Sequence, residues 1–437
     1  MKAETLLIIT QLDMQKAGNQ ILFRTIQGYL REGYRVILLT SNPLSGSNKA
    51  DYEELFGDLI ENLKIYRFNP LLRFLSIPLL KLKNQAFGKL SPTDDMPNLK
   101  VDNSVPFVKW HHGILGFISQ ISFVLGGIIK AFRLTSLYHP NIIYGYEIYG
   151  APLAYIISKI FHIPLITKFQ GTIAFPYIEK YGTLSWFMIP NHLIGLKIPA
   201  QLIIMENDGT RGKEVLLKLG IPEGKIKFWI DGVKKDMCII QFNKFSFLKE
   251  LGLNDEYKVI LTVSRLERWK RVDRAIRAMP LVIEKFSKTV LIVVGDGEEK
   301  ANLIELAKKL KVDRNTIFVG AIPHDEVKKY FNSCDIFLSL YDYSNLCNPV
   351  LEALECGKPI ITIDDGSTKG ILENGQNAIL VKKENLSEEL PNAIIELLSN
   401  DELRLRLSQN AFNTAKKSLL SWEERMKLEI SEVEKIL

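Results

Sequence analysis

The chain has 437 residues, 46% apolar and 24% charged, too long for one comfortable core and too apolar for disorder. Its net charge of +6 suits an anionic substrate or an anionic membrane surface but is too small and dispersed to argue for nucleic acid. The cysteines Cys238, Cys334, Cys347 and Cys356 form no Cys-x-x-Cys pair, which argues against a zinc site and for a reducing compartment.

The N-terminus runs straight into an apolar strand at 6–10, with no signal-peptide pattern. A loop through Gly18 leads to a helix over about 20–32 stopped by Gly33, and a second strand follows at 35–40. Residues 69–109 carry five prolines and a basic, apolar stretch at 71–83, read as an insertion packed on the first domain or a segment touching anionic lipid. The longest apolar stretch, 113–129, is broken by Ser119, Gln120 and Ser122 and is short for a spanning helix. Strands at 141–144 and 164–169 bracket an apolar helix near 152–161, and 227–230 closes this half.

After a linker over 234–247 the scheme repeats, with strands at 258–263, 289–294, 316–319, 335–340 and 359–363. From 388 onward the chain is helical, ending in an amphipathic segment at 422–437. Two runs of alternating strands and helices predict an α/β chain with two parallel sheets. Its domains are placed at 1–238 and 239–418, with residues 419–437 as a separate terminal helix.

Ligand sites of such sheets lie at the carboxyl ends of the strands. Arg265 follows the strand 258–263, and Lys270 enters the next helix, so a guanidinium and an ammonium together can grip two phosphate groups. Asn348 and Pro349 read as N-cap and first residue of a helix closed by Gly357, whose N-terminus would offer backbone N–H groups to an anion. Glu352, one turn in, can accept both hydroxyls of a ribose or simply favour the helix dipole. Gly295-Asp296-Gly297 after a strand is a weak phosphate signal, and the dinucleotide fingerprint G-x-G-x-x-G is absent.

The order of these motifs resembles the retaining glycosyltransferases of family 4, which are built in the GT-B manner from two facing Rossmann-like domains. The likeness is sharpest over 259–381. It implies that Arg265 and Lys270 bind the donor diphosphate, that Phe318-Val319-Gly320-Ala321-Ile322-Pro323 lies beside the base, and that Glu352 of Pro349-Val350-Leu351-Glu352-Ala353 binds the ribose. It also implies that the helix near Trp422 crosses back onto the first domain. Gly18, Gly295, Val319, Ile322, Ser344, Asn345, Asn348, Pro349 and Val350 complete the expected donor site, and Gln170 joins Arg265 and Lys270 in the expected catalytic set. The sequence departs from the family at two sites, with Ser344 replacing a sugar-contacting Glu and Gln170 replacing a His that points across the cleft. Both departures are expected to face the cleft across a space the size of one hexose, with Asn345 and Asn348 supplying hydrogen bonds.

The reading is a cytoplasmic glycosyltransferase, peripheral on the inner face of a membrane, that moves a sugar from a nucleotide donor to a glycan or lipid-linked acceptor in surface polysaccharide or glycoconjugate assembly. No cofactor and no metal are expected, because no Asp-x-Asp motif is present. In the front-face route usually proposed for the family, the departing phosphate can itself take the acceptor's proton. A non-catalytic relative that binds a nucleotide sugar or a partner protein, and a sugar-nucleotide epimerase of the same fold, remain the alternatives.

Overall fold

The computed structural model describes residues 4–12, 19–41, 55–71, 110–235, 237 and 242–437. Thirteen described strands form two parallel sheets. The first holds β1 (Thr5–Thr10), β2 (Arg35–Ser41), β3 (Leu63–Phe68), β4 (Ile142–Tyr146), β5 (Leu165–Phe169), β6 (Leu202–Glu206) and β7 (Ile226–Trp229), in the order β3-β2-β1-β4-β5-β6-β7. The second holds β8 (Lys258–Val263), β9 (Thr289–Val294), β10 (Thr316–Gly320), β11 (Ile336–Ser339), β12 (Ile360–Asp364) and β13 (Ile379–Lys382), in the order β10-β9-β8-β11-β12-β13.

Central strands such as β1 and β9 are buried along their whole length, as expected where helices cover both faces of a sheet. Each sheet reverses its strand order once, between β1 and β4 and between β8 and β11. Loops leaving the carboxyl ends of those pairs diverge and open a crevice. Gly150 permits close approach at the first reversal, because a Cβ there would collide with the Ile9 carbonyl.

Helix Trp110–Tyr138 is longer than the apolar stretch read from sequence, since Ser119, Gln120 and Ser122 do not interrupt it. Gln120 and Ser122 are buried, and the Gln120 amide donates to the carbonyls of Ile148 (2.6 Å) and Asn191 (2.9 Å). Over Gly113–Tyr138 the mean hydropathy reaches 1.8, long and apolar enough to cross a membrane by length and composition. Ile121, Leu125, Ile129 and Phe132 lie exposed along it. The basic stretch at 71–83 falls outside the described residues except for Leu71, which is exposed.

The chain returns to its first half as expected. Val233 pairs with Ser421 as a parallel bridge, and Gly232 leaves room for Trp422, whose Cα would stand 2.6 Å from an added Cβ. Helix Trp422–Glu434 then starts from a capping box made by Ser421 and Glu424. Its apolar residues Met426, Ile430 and Val433 join the core formed with helix Gln20–Arg31 and the first sheet.

Charged residues of the same helix enter that core too. Lys168 Nζ lies 3.0 Å from Glu206 and 2.8 Å from Glu429, and Arg425 lies 3.1 Å from Glu429 and 3.4 Å from Glu206. Tyr144 donates to the remaining Glu429 oxygen at 2.6 Å. Burial and the adjacent Glu206 push the Asp231 carboxyl well above its ordinary range, so two cations face two carboxylates and one neutral acid. The cluster ties the returning helix to β5, β6 and the turn after β7.

Candidate active site at the crevice

In the second sheet the reversal point is filled by aromatic rings around one cation. Lys270 ends the single turn Arg268–Lys270 and is only 9% exposed. Its Nζ sits 3.8 Å from the ring centre of Trp269 and 3.9 Å from that of Tyr341. Such rings attract a cation but do not neutralise it. Among the described residues no carboxylate comes within 4.0 Å of this ammonium, and burial lowers it to about 8. The rings are fixed in turn: Trp269 donates to Glu267 at 2.6 Å and stacks on Tyr343 at 4.5 Å, while Tyr341 donates to the Val263 carbonyl at 3.0 Å. Arg274 holds the loop after β11 through the Leu340 carbonyl (2.6 Å) and Asp342 (2.7 Å).

The other expected donor residues divide. Arg265 is exposed and paired with Glu267 at 2.6 Å, so it stands at the rim. Glu352 is buried and its Oε1 lies 2.8 Å from His324 Nε2. That contact raises the His324 imidazole above its ordinary value. Gln20, Arg24, Gly232, His324, Asn348 and Glu352 line one narrow cleft between the two domains, beside Trp422 at the start of the returning helix. Val319 and Ile322 are partly buried against the core beneath it.

Several expectations need correction. The helix is Asn348–Glu355 with Cys347 at the N-cap, so Asn348 and Pro349 are its first two residues. Val350 is wholly buried in the core and its N–H bonds to the Cys347 carbonyl at 2.9 Å, which removes one donor from the supposed anion site. Asn345 is also wholly buried. Its oxygen accepts from Tyr341 N–H, and its amide donates to the Tyr341 carbonyl and to Asp365, so it braces the loop and has no group left for a sugar. Gly295, at φ 132°, is accounted for by backbone packing, because a Cβ would strike the Ser264 carbonyl. Gly18 lies outside the described residues.

In the first domain Gln170 follows β5 and is half-buried. Its amide donates to Tyr146 Oη at 2.9 Å, and its backbone N–H donates to Glu147 Oε1 at 2.7 Å. The hexose-sized gap expected between Gln170 and Ser344 holds a side chain instead. Asp208, after β6, lies against Gly171 and accepts from Ser344 Oγ at 3.0 Å. Gly209 brings the two domains still closer, since a Cβ there would lie 2.8 Å from Leu346 N. Beside this seam a cavity of about 140 Å³ lies between Ile173, Phe175 and Pro176 of the first domain and Tyr343 of the second.

Sequence reasoning missed Glu147, Asp208 and His324. Glu147 stands immediately after β4, a placement that could have been noticed. Asp208 follows β6, which was not recognised as a strand, so its position at a strand end was invisible.

Three comparisons bear on the chain. Residues 243–414 match the family described as Glycosyl transferases group 1. The uncharacterized glycosyltransferase MJ1069 of Methanocaldococcus jannaschii is 32% identical over 267 residues, covering 61% of this chain and 63% of that protein. The alpha-monoglucosyldiacylglycerol synthase of Acholeplasma laidlawii is 29% identical over 163 residues, 37% of this chain and 40% of that one. The chain thus spans less than two thirds of either relative's own length. Among solved structures, Anabaena Alr3699/HepE in complex with UDP-glucose superposes with a TM-score of 0.68 at 17% identity, over 98% of this chain and 99% of that one. Two facing parallel sheets with a returning helix, matched over the full length, establish the GT-B fold.

Proposed function

We propose that this chain is a glycosyltransferase that moves a sugar from a nucleotide-sugar donor to a glycan or lipid-linked acceptor. One observation carries the reading: Lys270 is a buried cation that has no carboxylate partner among the described residues, at the crevice of the second sheet. A buried charge needs a counter-charge, and a donor diphosphate supplies one. Glu352, in the cleft beside Asn348, is the residue for the ribose hydroxyls, with Arg265 closing over the phosphates from the rim. The match of residues 243–414 to a glycosyltransferase family and the names of the relatives support the same class of reaction.

Retention of anomeric configuration, family 4 membership, and a role in surface polysaccharide or glycoconjugate assembly belong to this reading through the sequence resemblance. So does a cytoplasmic position, peripheral on an anionic membrane. No metal is assigned a part.

A thermal-shift screen with UDP-, GDP- and ADP-hexoses tests the proposal. A ligand at 100 times its dissociation constant should add about 2.7 kcal/mol of stability. Failure of every nucleotide sugar and nucleoside diphosphate to stabilise the chain would contradict it.

A further inference from the structure

The cavity beside the seam is walled by segments that follow the carboxyl ends of strands in both sheets: Ile173, Phe175 and Pro176 after β5, Tyr343 after β11, and Asp365 and Ser367 after β12. Its volume of about 140 Å³ is roughly ten times what one water needs and close to the void that takes a single six-membered ring. Phe175, Pro176 and Tyr343 give it flat apolar walls. Ser367 is only 8% exposed, yet its Oγ has no hydrogen-bond partner among the described residues. A buried hydroxyl left unpaired costs stability, so this position calls for a partner from outside the chain. Asp365 is oriented beside it: Oδ1 accepts from the Ser367 N–H at 2.9 Å and Oδ2 from the Asn345 amide at 3.1 Å. Each carboxylate oxygen keeps a further lone pair for a hydroxyl group.

Granting the transferase reading above, we infer that this cavity is the acceptor subsite and takes a neutral sugar ring, its C–H face against Tyr343 and Phe175 and its hydroxyls on Ser367 Oγ and Asp365. An apolar chain would leave Ser367 and Asp365 without partners. A phosphate would meet the Asp365 carboxylate, and Arg211, the cation on this wall, is already held by Glu214 through Nε at 2.7 Å and Nη2 at 2.6 Å.

The transferred sugar of the donor belongs elsewhere. It is joined to the diphosphate, which Lys270 holds in this reading, and Lys270 does not line the cavity. Tyr343 links the two places: its ring lines the cavity and stacks at 4.5 Å on Trp269, whose ring centre lies 3.8 Å from Lys270 Nζ. Acceptor and donor therefore approach one another around the Trp269–Tyr343 pair. The acceptor oxygen bonds to the anomeric carbon as that carbon's bond to the diphosphate breaks. Both electrons stay on the phosphate, which also takes the hydroxyl proton, so the cavity binds and orients the acceptor and supplies no base.

The test measures transfer from UDP-, GDP- and ADP-hexoses to octyl glycosides of neutral hexoses, and to octanol and dioctanoylglycerol, which carry no sugar ring. The unaltered chain should glycosylate an octyl glycoside and neither ring-free alcohol. Ile173→Trp, which fills the cavity from the first domain, should lower kcat/KM for the glycoside by about 10²-fold. The Kd for UDP and the slow hydrolysis of donor by water should not change. Ser367→Ala keeps the space and removes the hydroxyl, so it should raise KM for the glycoside by about 2–10-fold with kcat little altered, a split that a merely structural role would not give. Unchanged acceptor KM in both variants would overturn the subsite while leaving the transferase intact; if Ile173→Trp does not fold, an unchanged KM in Ser367→Ala does so alone. Loss of donor hydrolysis in a folded Ile173→Trp would put the donor's sugar in the cavity and overturn the acceptor assignment. Transfer to octanol or dioctanoylglycerol but to no glycoside would overturn the choice of a sugar ring. Absence of transfer with all donors overturns the functional reading and this inference together.

Discussion

Ser344 Oγ donates to Asp208 Oδ2 at 3.0 Å, joining the loop after β11 to the loop after β6 across the seam between the two sheets. Ser344 reaches it from a left-handed backbone, φ 65°, and Gly209 permits the approach. The residue that replaces the family's sugar-contacting glutamate is thus a contact between domains. Ser344→Ala removes one hydrogen bond to a carboxylate, and the conformation that brings the domains together should lose about 1.5–3 kcal/mol. Small-angle scattering should then report a more open average shape for Ser344→Ala than for the unaltered chain. Identical profiles would show that the bond does not hold the seam.

Lys270 should matter more than Arg265. One is buried with no carboxylate partner among the described residues, whereas the other is exposed and already paired with Glu267. Lys270→Ala is expected to slow transfer by about 10²–10³-fold, the scale of losing one stabiliser of developing charge, and Arg265→Ala to do less. The Lys270 ammonium is depressed to about 8 by burial, so UDP binding should weaken as pH rises past that value. Between pH 8 and 9 binding should take up protons, seen as a dependence of calorimetric heat on buffer. Lys270→Ala should abolish the uptake. Proton-neutral binding by the unaltered chain would place the diphosphate elsewhere.

Glu352 tests the ribose assignment. Glu352→Gln should raise the Michaelis constant for donor with little change in fold. Its contact with His324 also gives a pH signature. The imidazole is raised by the Glu352 hydrogen bond, so the stabilisation is full below the ordinary value of 6.5 and is lost as pH rises through the higher folded value. The Tm difference between the unaltered chain and Glu352→Gln should therefore shrink above neutral pH. A constant difference, with donor affinity unaltered, would leave Glu352 as a helix-turn acid only.

The alternation of strands and helices, the second sheet and the returning helix were legible because buried parallel strands read as continuous apolar runs. β3, β6 and β13 were not recognised. β3 mixes Lys64 and Arg67 with apolar residues at a sheet edge, and β13 is a four-residue edge strand. β6 ends on Glu206, a carboxylate that is buried only because Lys168 and Arg425 meet it from elsewhere in the chain. The donor side of the site was largely readable, since its motifs lie in one stretch of sequence. The first-domain side was not, because Glu147, Gln170 and Asp208 follow three different strands and meet only through the sheet. Asn345 shows the opposite error: a polar residue in a motif loop reads as a ligand contact until its bonding partners are known.

The buried ion cluster should be intolerant of partial removal. Lys168→Met leaves Glu206 and Glu429 with one cation fewer at a fully buried site, and unfolding free energy should fall by about 3–5 kcal/mol. Arg425→Met should act in the same direction. Chemical denaturation provides the measurement, and a change under about 1 kcal/mol would show that the cluster adapts or admits water.

The membrane element of the account depends on the basic, apolar stretch at 71–83. The protein should co-sediment with vesicles containing anionic lipid and release as salt rises, because surface attraction is screened within about 10 Å at 0.1 M. Lys81→Glu with Lys83→Glu should abolish that binding without affecting UDP affinity. Absence of sedimentation at low salt would remove the membrane from the reading.

The most direct test of the central claim is product mass after incubation of the purified chain with nucleotide sugars and a pool of glycosides and membrane lipids as acceptors. The account predicts an acceptor heavier by one sugar residue, one nucleoside diphosphate released per transfer, and loss of both signals in Lys270→Ala. A chain that neither binds nor consumes any nucleotide sugar, or one whose transfer persists at full rate without Lys270, would contradict it.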